Sequence, residues 1–375
     1  MKQLIYADYN STYPTDKEHL QELTRLLLEA PGNPSNIHEH GRKAKLLLED
    51  ARTQIASGFG KGEIIFTSGA TEANNWMVFN AIEKYQNHPA PIAISAVEHP
   101  SIGQYCRFQE HKKRCTLAFL GVDKDCLLKE EDIDAKISKE TCFVSLIHVN
   151  NETGAIQDIF RISEAIRRKA PSAFIHVDGV QAYGKLDLSW LDQSPINSYA
   201  VSGHKVGGIK GIGCLYLPKK GTALLPLLLG GGQERNRRSG TENMAGVLSM
   251  SLRAQNLSQY RNRIADLKVL KEAFLSEAAT IEGFCFHGNS ASQVPSTINF
   301  HLGEKPVTKI LFTFESHGIC ASTGSACSSG SPTPSPVLKA MGFSDQIASN
   351  SIRLSFGAPT TKADIDTILA ALRKI

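Results

Sequence analysis

The chain has 375 residues, of which 41% are hydrophobic and 21% are charged, a composition typical of a soluble globular protein. This length allows two domains with separate cores. The formal net charge of +4 is too small to indicate nucleic acid or a membrane as the main partner.

Neither a signal peptide nor a membrane-spanning segment is expected from the sequence. The first eight residues lack the apolar stretch of a signal peptide, and the longest apolar run, residues 223–229, contains Pro226 and is too short to cross a bilayer. We therefore expect a cytoplasmic protein. The eight cysteines have no metal-ligand spacing, which predicts that most are small buried thiols in a reducing compartment.

Polar, turn-forming residues dominate positions 8–14 and follow a short apolar run. This pattern predicts an extended arm that crosses the surface, or alternatively a loosely held terminus. Residues 41–56 carry apolar side chains at helical spacing, which predicts an amphipathic helix packed on a larger unit.

Residues 67–71 form the turn between the first strand and helix of a predicted βα pattern. The helix start would expose backbone amides beside the hydroxyls of Thr67, Ser68 and Thr71, and Gly69 would let a ligand approach closely. Such a turn suits an anion such as phosphate. Because Ser and Thr also cap ordinary helices, both interpretations stay open.

The alternation of strand and helix patterns continues through residue 201. It predicts an α/β fold with a mostly parallel sheet and helices on its faces. Ligands of such sheets bind beyond the carboxyl ends of the strands. Five polar residues fall at these ends: His99, Asn151, Asp178, Gln181 and Lys205.

Lys205 lies in a turn, between a strand-like run at 197–201 and a glycine-rich segment at 206–211. A lone lysine in a turn is usually a solvated charge, but a lysine amine can also form a Schiff base with a carbonyl cofactor. Asp178 either caps the segment that follows it or keeps a pyridine nitrogen protonated. His99 is either a rim histidine or an imidazole that stacks on a flat ring and transfers protons.

The second half of the chain begins after residues 230–243, whose glycines and mixed charges indicate a mobile or interface loop. Beyond it, strand and helix patterns predict a smaller α+β domain. We expect a large domain at residues 15–248. The small domain would then consist of residues 1–14 and 249–375.

Two further residues have settings that suggest chemistry. Cys327 lies in a run of small residues, 322–332, which predicts an exposed, flexible loop. A thiol there is either incidental or an accessible nucleophile. Arg353 lies in a strand-like segment that points it away from its apolar neighbours, as a surface charge or as a planar fork for a carboxylate.

Together, these motifs resemble the NifS/IscS-like cysteine desulfurases of the class V aminotransferase family, which use pyridoxal 5'-phosphate (PLP). The resemblance extends from Asp8 to the Arg353 segment. Its most specific parts are residues 176–178 with Gln181, and residues 202–205, 238–241 and 324–327. It implies the PLP-dependent transferase fold type I, with a seven-stranded, mostly parallel sheet in the large domain and a smaller α+β domain.

The resemblance also implies a role for each matching residue. Lys205 would hold PLP and act as the base, Asp178 would pair with the pyridine nitrogen, and His99 would stack on the ring. Gln181 and Asn151 would lie near the ring hydroxyl, and Arg353 with Asn151 would bind the substrate carboxylate. The phosphate would be held by Ala70, Thr71, Ser202 and His204, and by Thr241 from the other subunit of a homodimer.

The activity that the resemblance implies is removal of sulfur from L-cysteine, which gives L-alanine and a persulfide on Cys327. The sulfur would pass to an acceptor protein, for example in iron–sulfur cluster assembly or tRNA thiolation. Two alternatives remain: another class V PLP enzyme, such as a selenocysteine lyase or an aminotransferase, and a non-catalytic docking protein of a sulfur pathway. No metal site is expected.

Overall fold

The computed structural model describes residues 4–85, 89–323 and 333–375. Short 3-10 turns connect several of the helices and strands. The strands are β1 (Ile5–Tyr6), β2 (Glu63–Thr67), β3 (Ala90–Ser95), β4 (Cys115–Leu120), β5 (Phe143–Ile147), β6 (Phe174–Asp178), β7 (Ser198–Ser202), β8 (Gly213–Leu217), β9 (Phe284–Phe286), β10 (Thr297–Leu302), β11 (Ile319–Cys320), β12 (Ser322–Thr323) and β13 (Ile352–Ser355).

The helices range from one turn to 22 residues. They are α1 (Lys17–Glu29), α2 (Glu39–Ala56), α3 (Ala70–Lys84), α4 (Pro100–His111), α5 (Glu130–Lys136), α6 (Ile159–Lys169), α7 (Gln233–Asn236), α8 (Met244–Ala254), α9 (Leu257–Ala278), α10 (Val307–Ser316), α11 (Pro336–Ala340), α12 (Asp345–Ser349) and α13 (Lys362–Leu372). In α7, residues 234–236 have positive φ angles, so this turn is left-handed.

The large sheet has seven strands in the order β2-β8-β7-β6-β5-β3-β4. Strand β8 runs antiparallel to both of its neighbours, and the remaining pairs are parallel. Alternate side chains enter different cores: Ile64 and Phe66 pack with helix α2, and Ile65 packs with helix α3. Both faces are therefore covered by helices, as a mainly parallel sheet requires. The predicted fold class is confirmed.

The second sheet is antiparallel, with the order β12-β13-β10-β9. Its apolar face packs against helices α9, α10 and α13 in a separate core that includes Phe274, Phe300 and Phe314. At the amino end, β1 pairs in parallel with β11, and Asp8 forms a bridge with Ser355 of β13. The domain boundary at residue 248 stays a prediction.

The topology determines where a ligand can bind. Strands β3, β5, β6 and β7 are adjacent and parallel, and Ile147, Asp178 and Ala200 are aligned in the register. The segments that follow these strands therefore leave the sheet at one edge. Among the described helices, none is long and apolar enough to cross a membrane.

Four of the seven cysteines in the described ranges are buried, two are partly exposed and Cys285 is exposed. The expectation that most cysteines are small buried thiols agrees with this distribution. Cys327 and its loop residues 324–332 lie outside the described part of the chain.

Candidate active site

A cavity of about 540 Å³ lies at the carboxyl edge of the large sheet. Ten of the predicted site residues line it: Ala70, Thr71, His99, Asn151, Asp178, Gln181, Ser202, His204, Lys205 and Arg353. At least six separate segments of the chain thus form the wall of the cavity. The five polar residues predicted at the strand ends do meet at one edge.

Lys205 lies in the short 3-10 turn Gly203–Val206 that follows strand β7. Its Nζ donates hydrogen bonds to the carbonyl oxygens of Asn10, at 2.8 Å, and Ser11, at 2.7 Å. Asn10 is buried, and its backbone N–H donates to Ser355 Oγ at 2.9 Å. The arm therefore crosses the cavity and is held at several points, so its description as a loosely held terminus is wrong.

Asp178 is the last residue of strand β6 and is almost fully buried. Its Oδ1 accepts a hydrogen bond from the Val180 N–H at 3.0 Å, and its Oδ2 accepts one from Asn74 Nδ2 at 2.8 Å. Gly179 is necessary here because a Cβ atom would lie 1.8 Å from the ring of Tyr199. Asp178 thus caps the following turn, as one interpretation of the sequence predicts, and also lines the cavity. Its pairing with a pyridine nitrogen stays a prediction.

Asn74, on the buried side of helix α3, was not predicted as a site residue. Since its Nδ2 donates to Asp178, its Oδ1 faces His176 Nε2 at 2.9 Å, and that nitrogen must be the donor. The other ring nitrogen of His176 lies 2.8 Å from Ser198 Oγ. Burial lowers the pKa of His176 to about 3, so the ring is neutral and supplies one donor and one acceptor. A buried Asn on an apolar helix face was the available signal, because buried amides need partners.

His99 is the N-cap residue of helix α4, and its Nδ1 accepts a hydrogen bond from the Ser101 N–H at 3.2 Å. The same nitrogen lies 2.8 Å from Ser101 Oγ, which is in turn 2.9 Å from Asn74 Nδ2. Burial lowers the pKa of His99, as does the positive charge of Lys205, whereas Asp178 raises it. The net lowering favours a neutral imidazole with its ring at the cavity wall.

Glu98 precedes His99 and also lines the cavity. Its Oε1 accepts a hydrogen bond from Ser145 Oγ at 2.8 Å, and its Oε2 is buried without a partner in the described structure. Burial raises the pKa of Glu98 well above its usual value, and the negative charge of Asp178 raises it further. The raised pKa favours the protonated, neutral form of Glu98.

Helix α3 begins at the cavity, and its N-cap, Gly69, provides no side-chain acceptor for the first amides. A Cβ atom at Gly69 would meet no atom within 4 Å, so the space in front of the helix is open. Unpaired amides and the helix dipole make such a terminus an anion site. The Oε2 of nearby Glu72 accepts from the Ser68 N–H at 2.8 Å, and Arg238 Nε pairs with Glu72 Oε1 at 2.8 Å. This pairing offsets the negative charge beside the anion site.

Arg353, on strand β13, has only 2% of its side chain exposed, so the interpretation as a surface charge is wrong. Its apolar neighbours enter the core, as the predicted alternation requires. One terminal nitrogen, Nη2, donates to Asp8 Oδ1 at 2.8 Å, and Nη1 donates to the Asn151 carbonyl at 3.0 Å. The Nε atom is buried without a partner among the described residues. The Nε–H group of Arg353 could therefore donate a hydrogen bond to a carboxylate.

The loop at residues 230–243 is held by arginine–carboxylate pairs. Glu234, which has a positive φ of 49°, forms two hydrogen bonds with Arg52, at 2.7 and 2.8 Å. Arg237 forms a similar double contact with Glu63. Thr241 is exposed and is not among the described residues that line the cavity of its own chain. Its predicted contact with a second subunit stays a prediction.

Comparison with known proteins agrees with this geometry. The sequence model of the family described as Aminotransferase class-V matches residues 5–368. Cysteine desulfurase IscS of Dictyoglomus turgidum is 35% identical over 379 residues, which cover 100% of this chain and 95% of that protein.

Two solved structures have a similar fold. A NifS-like protein superposes with a TM-score of 0.89 at 28% identity, covering 99% of both chains. SspA in complex with cysteine superposes with a TM-score of 0.82 at 28% identity, covering 96% of this chain and 100% of that one. This chain belongs to the class V aminotransferase family and, within it, to the NifS/IscS-like PLP enzymes.

Proposed function

We propose that this protein is a PLP-dependent cysteine desulfurase, which converts L-cysteine to L-alanine and retains the sulfur as a persulfide on Cys327. The main supporting observation is the convergence of the Lys205 amine, the Asp178 carboxylate and the open start of helix α3 on one cavity. The full-length similarity to cysteine desulfurase IscS of Dictyoglomus turgidum supports the same activity.

The residues of the cavity fit PLP in size and chemistry. A volume of about 540 Å³ is within the roughly 300–1,000 Å³ typical of small-molecule sites. The Lys205 amine matches the aldehyde of PLP, and the Asp178 carboxylate matches its pyridine nitrogen. The anion site at the start of helix α3 matches the phosphate. PLP, when bound, withdraws electrons from the α-carbon of an amino acid and thereby weakens the bonds to that carbon.

Each residue has a defined task under this proposal. The Lys205 amine would hold the aldehyde carbon and would move the α-proton of the substrate. Asp178, oriented by Asn74 and the Val180 N–H, would keep a proton on the ring nitrogen. The neutral His99 ring would stack on the cofactor and would be available to accept or donate a proton.

The two ends of the ligand would be held by different segments. The amides of Ala70 and Thr71 would bind the phosphate, together with the side chains of Ser202 and His204, and Thr241 would come from a second copy in a homodimer. Burial lowers the pKa of His204 to about 4, so its ring would act there as a neutral donor. At the other end, the guanidinium of Arg353, whose Nε has no partner among the described residues, and the Asn151 side chain would bind the carboxylate of L-cysteine.

Sulfur transfer needs a thiolate as the acceptor. We propose that the Cys327 sulfur forms the new S–S bond while the Cβ–S bond of L-cysteine breaks. The carbon skeleton leaves as L-alanine after gaining protons, so no external oxidant or reductant is consumed. The persulfide sulfur would then pass to an acceptor protein. The acceptor pathway and the cytoplasmic localisation stay predictions.

The cofactor assignment is tested by the visible absorbance of the purified protein after incubation with PLP. The wild-type protein should turn yellow, and Lys205→Ala should not, because it has no amine to bind the aldehyde. Lys219→Ala, which removes an exposed lysine, is the matched control and should turn yellow. A colourless wild-type protein that takes up no PLP would refute the proposed function.

The role of Cys327 is tested by mass spectrometry after treatment with L-cysteine. The peptide that contains Cys327 should gain one sulfur atom, and alanine should accumulate. Cys327→Ala should stay yellow and lose sulfide release, whereas Cys285→Ala, which removes the exposed thiol of β9, should keep it. Unchanged sulfide release from Cys327→Ala would favour another class V PLP enzyme over a desulfurase.

A further inference from the structure

Behind the cavity wall, Lys185 contacts two of the residues that line the cavity, Gln181 and Asn10. The Nζ of Lys185 donates hydrogen bonds of 2.7 Å to both Gln181 Oε1 and Asn10 Oδ1. Lys185 as a whole residue is partly exposed, but its amine is enclosed. Burial, together with the positive charges of Lys205 and Arg353, lowers the pKa of Lys185 to about 7.

Local geometry explains how Lys185 reaches Gln181. Residues 179–186 form a tight turn in which the Lys185 and Leu186 N–H groups both donate to the Ala182 carbonyl. Positions 181 and 185 are therefore separated by about one helical turn and face the same side. Gly184, with φ of +81°, allows the chain to complete this turn.

The contact determines the orientation of the Gln181 amide. A lysine nitrogen carries at least two N–H bonds in either protonation state and here donates to both amide oxygens. Since Gln181 Oε1 is the acceptor, its NH₂ group faces the other way and donates to the Asn10 carbonyl at 2.9 Å. The NH₂ group of Gln181 therefore faces the arm that crosses the cavity.

The same nitrogen also orients Asn10. Because Asn10 Oδ1 accepts from Lys185, its Nδ2 donates to Thr297 Oγ1 at 2.9 Å and to the Asn151 carbonyl at 3.2 Å. The Asn10 carbonyl then accepts from both Gln181 and Lys205. Lys185 therefore connects the turn after β6 with the arm that supports the Lys205 amine.

We propose that Lys185 is a positioning residue: it holds the Gln181 amide with its NH₂ group toward the cavity, so that the site selects a ring oxygen that accepts a hydrogen bond. This inference rests on the proposed function, in which that atom is the ring hydroxyl oxygen of PLP after loss of its proton. If the Gln181 amide were reversed, its carbonyl oxygen would face that anion and repel it. The specificity of Gln181 is thus determined by a residue that does not contact the ligand.

A double-mutant cycle in the full-length protein tests this inference. Apo forms of the wild type, Gln181→Ala, Lys185→Met and the double variant are titrated with PLP. Loss of one oriented hydrogen bond should weaken PLP binding by about 2- to 10-fold in each single variant. The double variant should bind PLP no more weakly than Gln181→Ala, because both changes remove the same contact.

A spectroscopic measurement gives a second readout. The donor from Gln181 stabilises an anionic ring oxygen, so the ratio of the visible to the near-ultraviolet absorbance of bound PLP at a fixed pH should shift equally in all three variants. Additive losses of PLP affinity, or an unchanged spectrum in Lys185→Met, would overturn the inference. If Lys185→Met does not fold, Lys185→Leu replaces it in the cycle, with the same expected outcome.

Lys271→Met is the matched control. Lys271 is another buried lysine, and its Nζ donates to Gln293 Oε1 at 2.9 Å. Unlike the partners of Lys185, Gln293 is not among the described residues that line the cavity, so replacing Lys271 should lower the unfolding temperature without changing PLP affinity. If Lys271→Met weakens PLP binding as much as Lys185→Met, the effect is structural and the inference is wrong. A wild-type protein that binds no PLP would instead refute the proposed function.

Discussion

Asn74 donates a hydrogen bond of 2.8 Å to the Oδ2 atom of Asp178, although 104 residues separate them in the chain. The contact joins helix α3, whose first turn forms the anion site, to strand β6, which ends at the cavity. The two ends of a bound cofactor would therefore be attached to one rigid unit. A site built on a helix and a strand is held more firmly than one on loops.

The first prediction concerns Asn74→Ala. The change removes the donor to Asp178 and leaves the His176 Nε2 atom without an acceptor. Unsatisfied buried groups of this kind cost about 1–3 kcal/mol, so the free energy of unfolding should fall by that amount and PLP should bind more weakly. Urea unfolding and PLP titration measure the two effects.

Asn75→Ala is the control for Asn74→Ala. Asn75 lies on the same helix and donates to the Ser101 carbonyl at 2.7 Å, without a contact to Asp178. It should lose some stability but keep the PLP affinity of the wild type. Equal PLP affinities for the Asn74→Ala and Asn75→Ala variants would contradict a role of Asn74 in the site.

The second prediction concerns Arg353→Lys, which keeps the charge but removes the planar fork. Hydrogen bonds to charged groups contribute about 1.5–3 kcal/mol, so the KM for L-cysteine should rise about tenfold or more. The yellow colour of the bound cofactor should persist. Steady-state kinetics of alanine formation measure the change, with Arg373→Lys, an exposed arginine, as the control. An unchanged KM would remove Arg353 from the substrate site.

The third prediction concerns Glu234→Gln, in the left-handed turn of α7. The change leaves the guanidinium of Arg52 without its buried partner, and breaking a buried pair costs about 3–5 kcal/mol. We expect a loss of about 3 kcal/mol, at the low end of that range, because Glu49 remains 3.3 Å from Arg52. Denaturant unfolding measures it.

The matched control for Glu234→Gln is Glu22→Gln, which breaks an exposed pair with Arg25. Exposed pairs contribute little because water screens them, so the control should unfold like the wild type. Similar losses of unfolding free energy in the two variants would mean that the buried pair with Arg52 stabilises the fold no more than the exposed pair does.

The fourth prediction concerns the pH dependence of stability. The folded pKa of His176 is about 3, below the value near 6.5 in the unfolded chain. The unfolded state therefore binds more protons between these values, and stability falls as the pH decreases through that window. By about pH 5, His176 alone should cost about 2 kcal/mol.

The variant His176→Asn isolates this contribution from that of other buried histidines such as His148. Its free energy of unfolding should fall by about 2 kcal/mol less than that of the wild type between about pH 7.5 and about pH 5. Urea unfolding at both pH values provides the comparison. Parallel pH profiles for the two proteins would contradict a neutral, buried His176.

Much of the site could be predicted because its residues follow strands whose patterns are local. The alternation of strand and helix patterns indicates parallel strands, and parallel strands bring their carboxyl ends to one edge. That reasoning correctly brought His99, Asp178 and Lys205 together. The resemblance to a family added Ser202, His204 and Thr241 as phosphate-binding positions, of which Ser202 and His204 line the cavity.

The sequence by itself determined the fold class, the edge of the sheet that carries the site and the types of reactive group there, because periodicity and residue type are properties of short segments. Only the tertiary structure decided which groups orient them. Asn10 meets Lys185 and Lys205 across 175 and 195 residues, and Asn74 meets Asp178 across 104. Contacts of that range depend on how whole sheets and helices pack, and no local pattern in the chain encodes them.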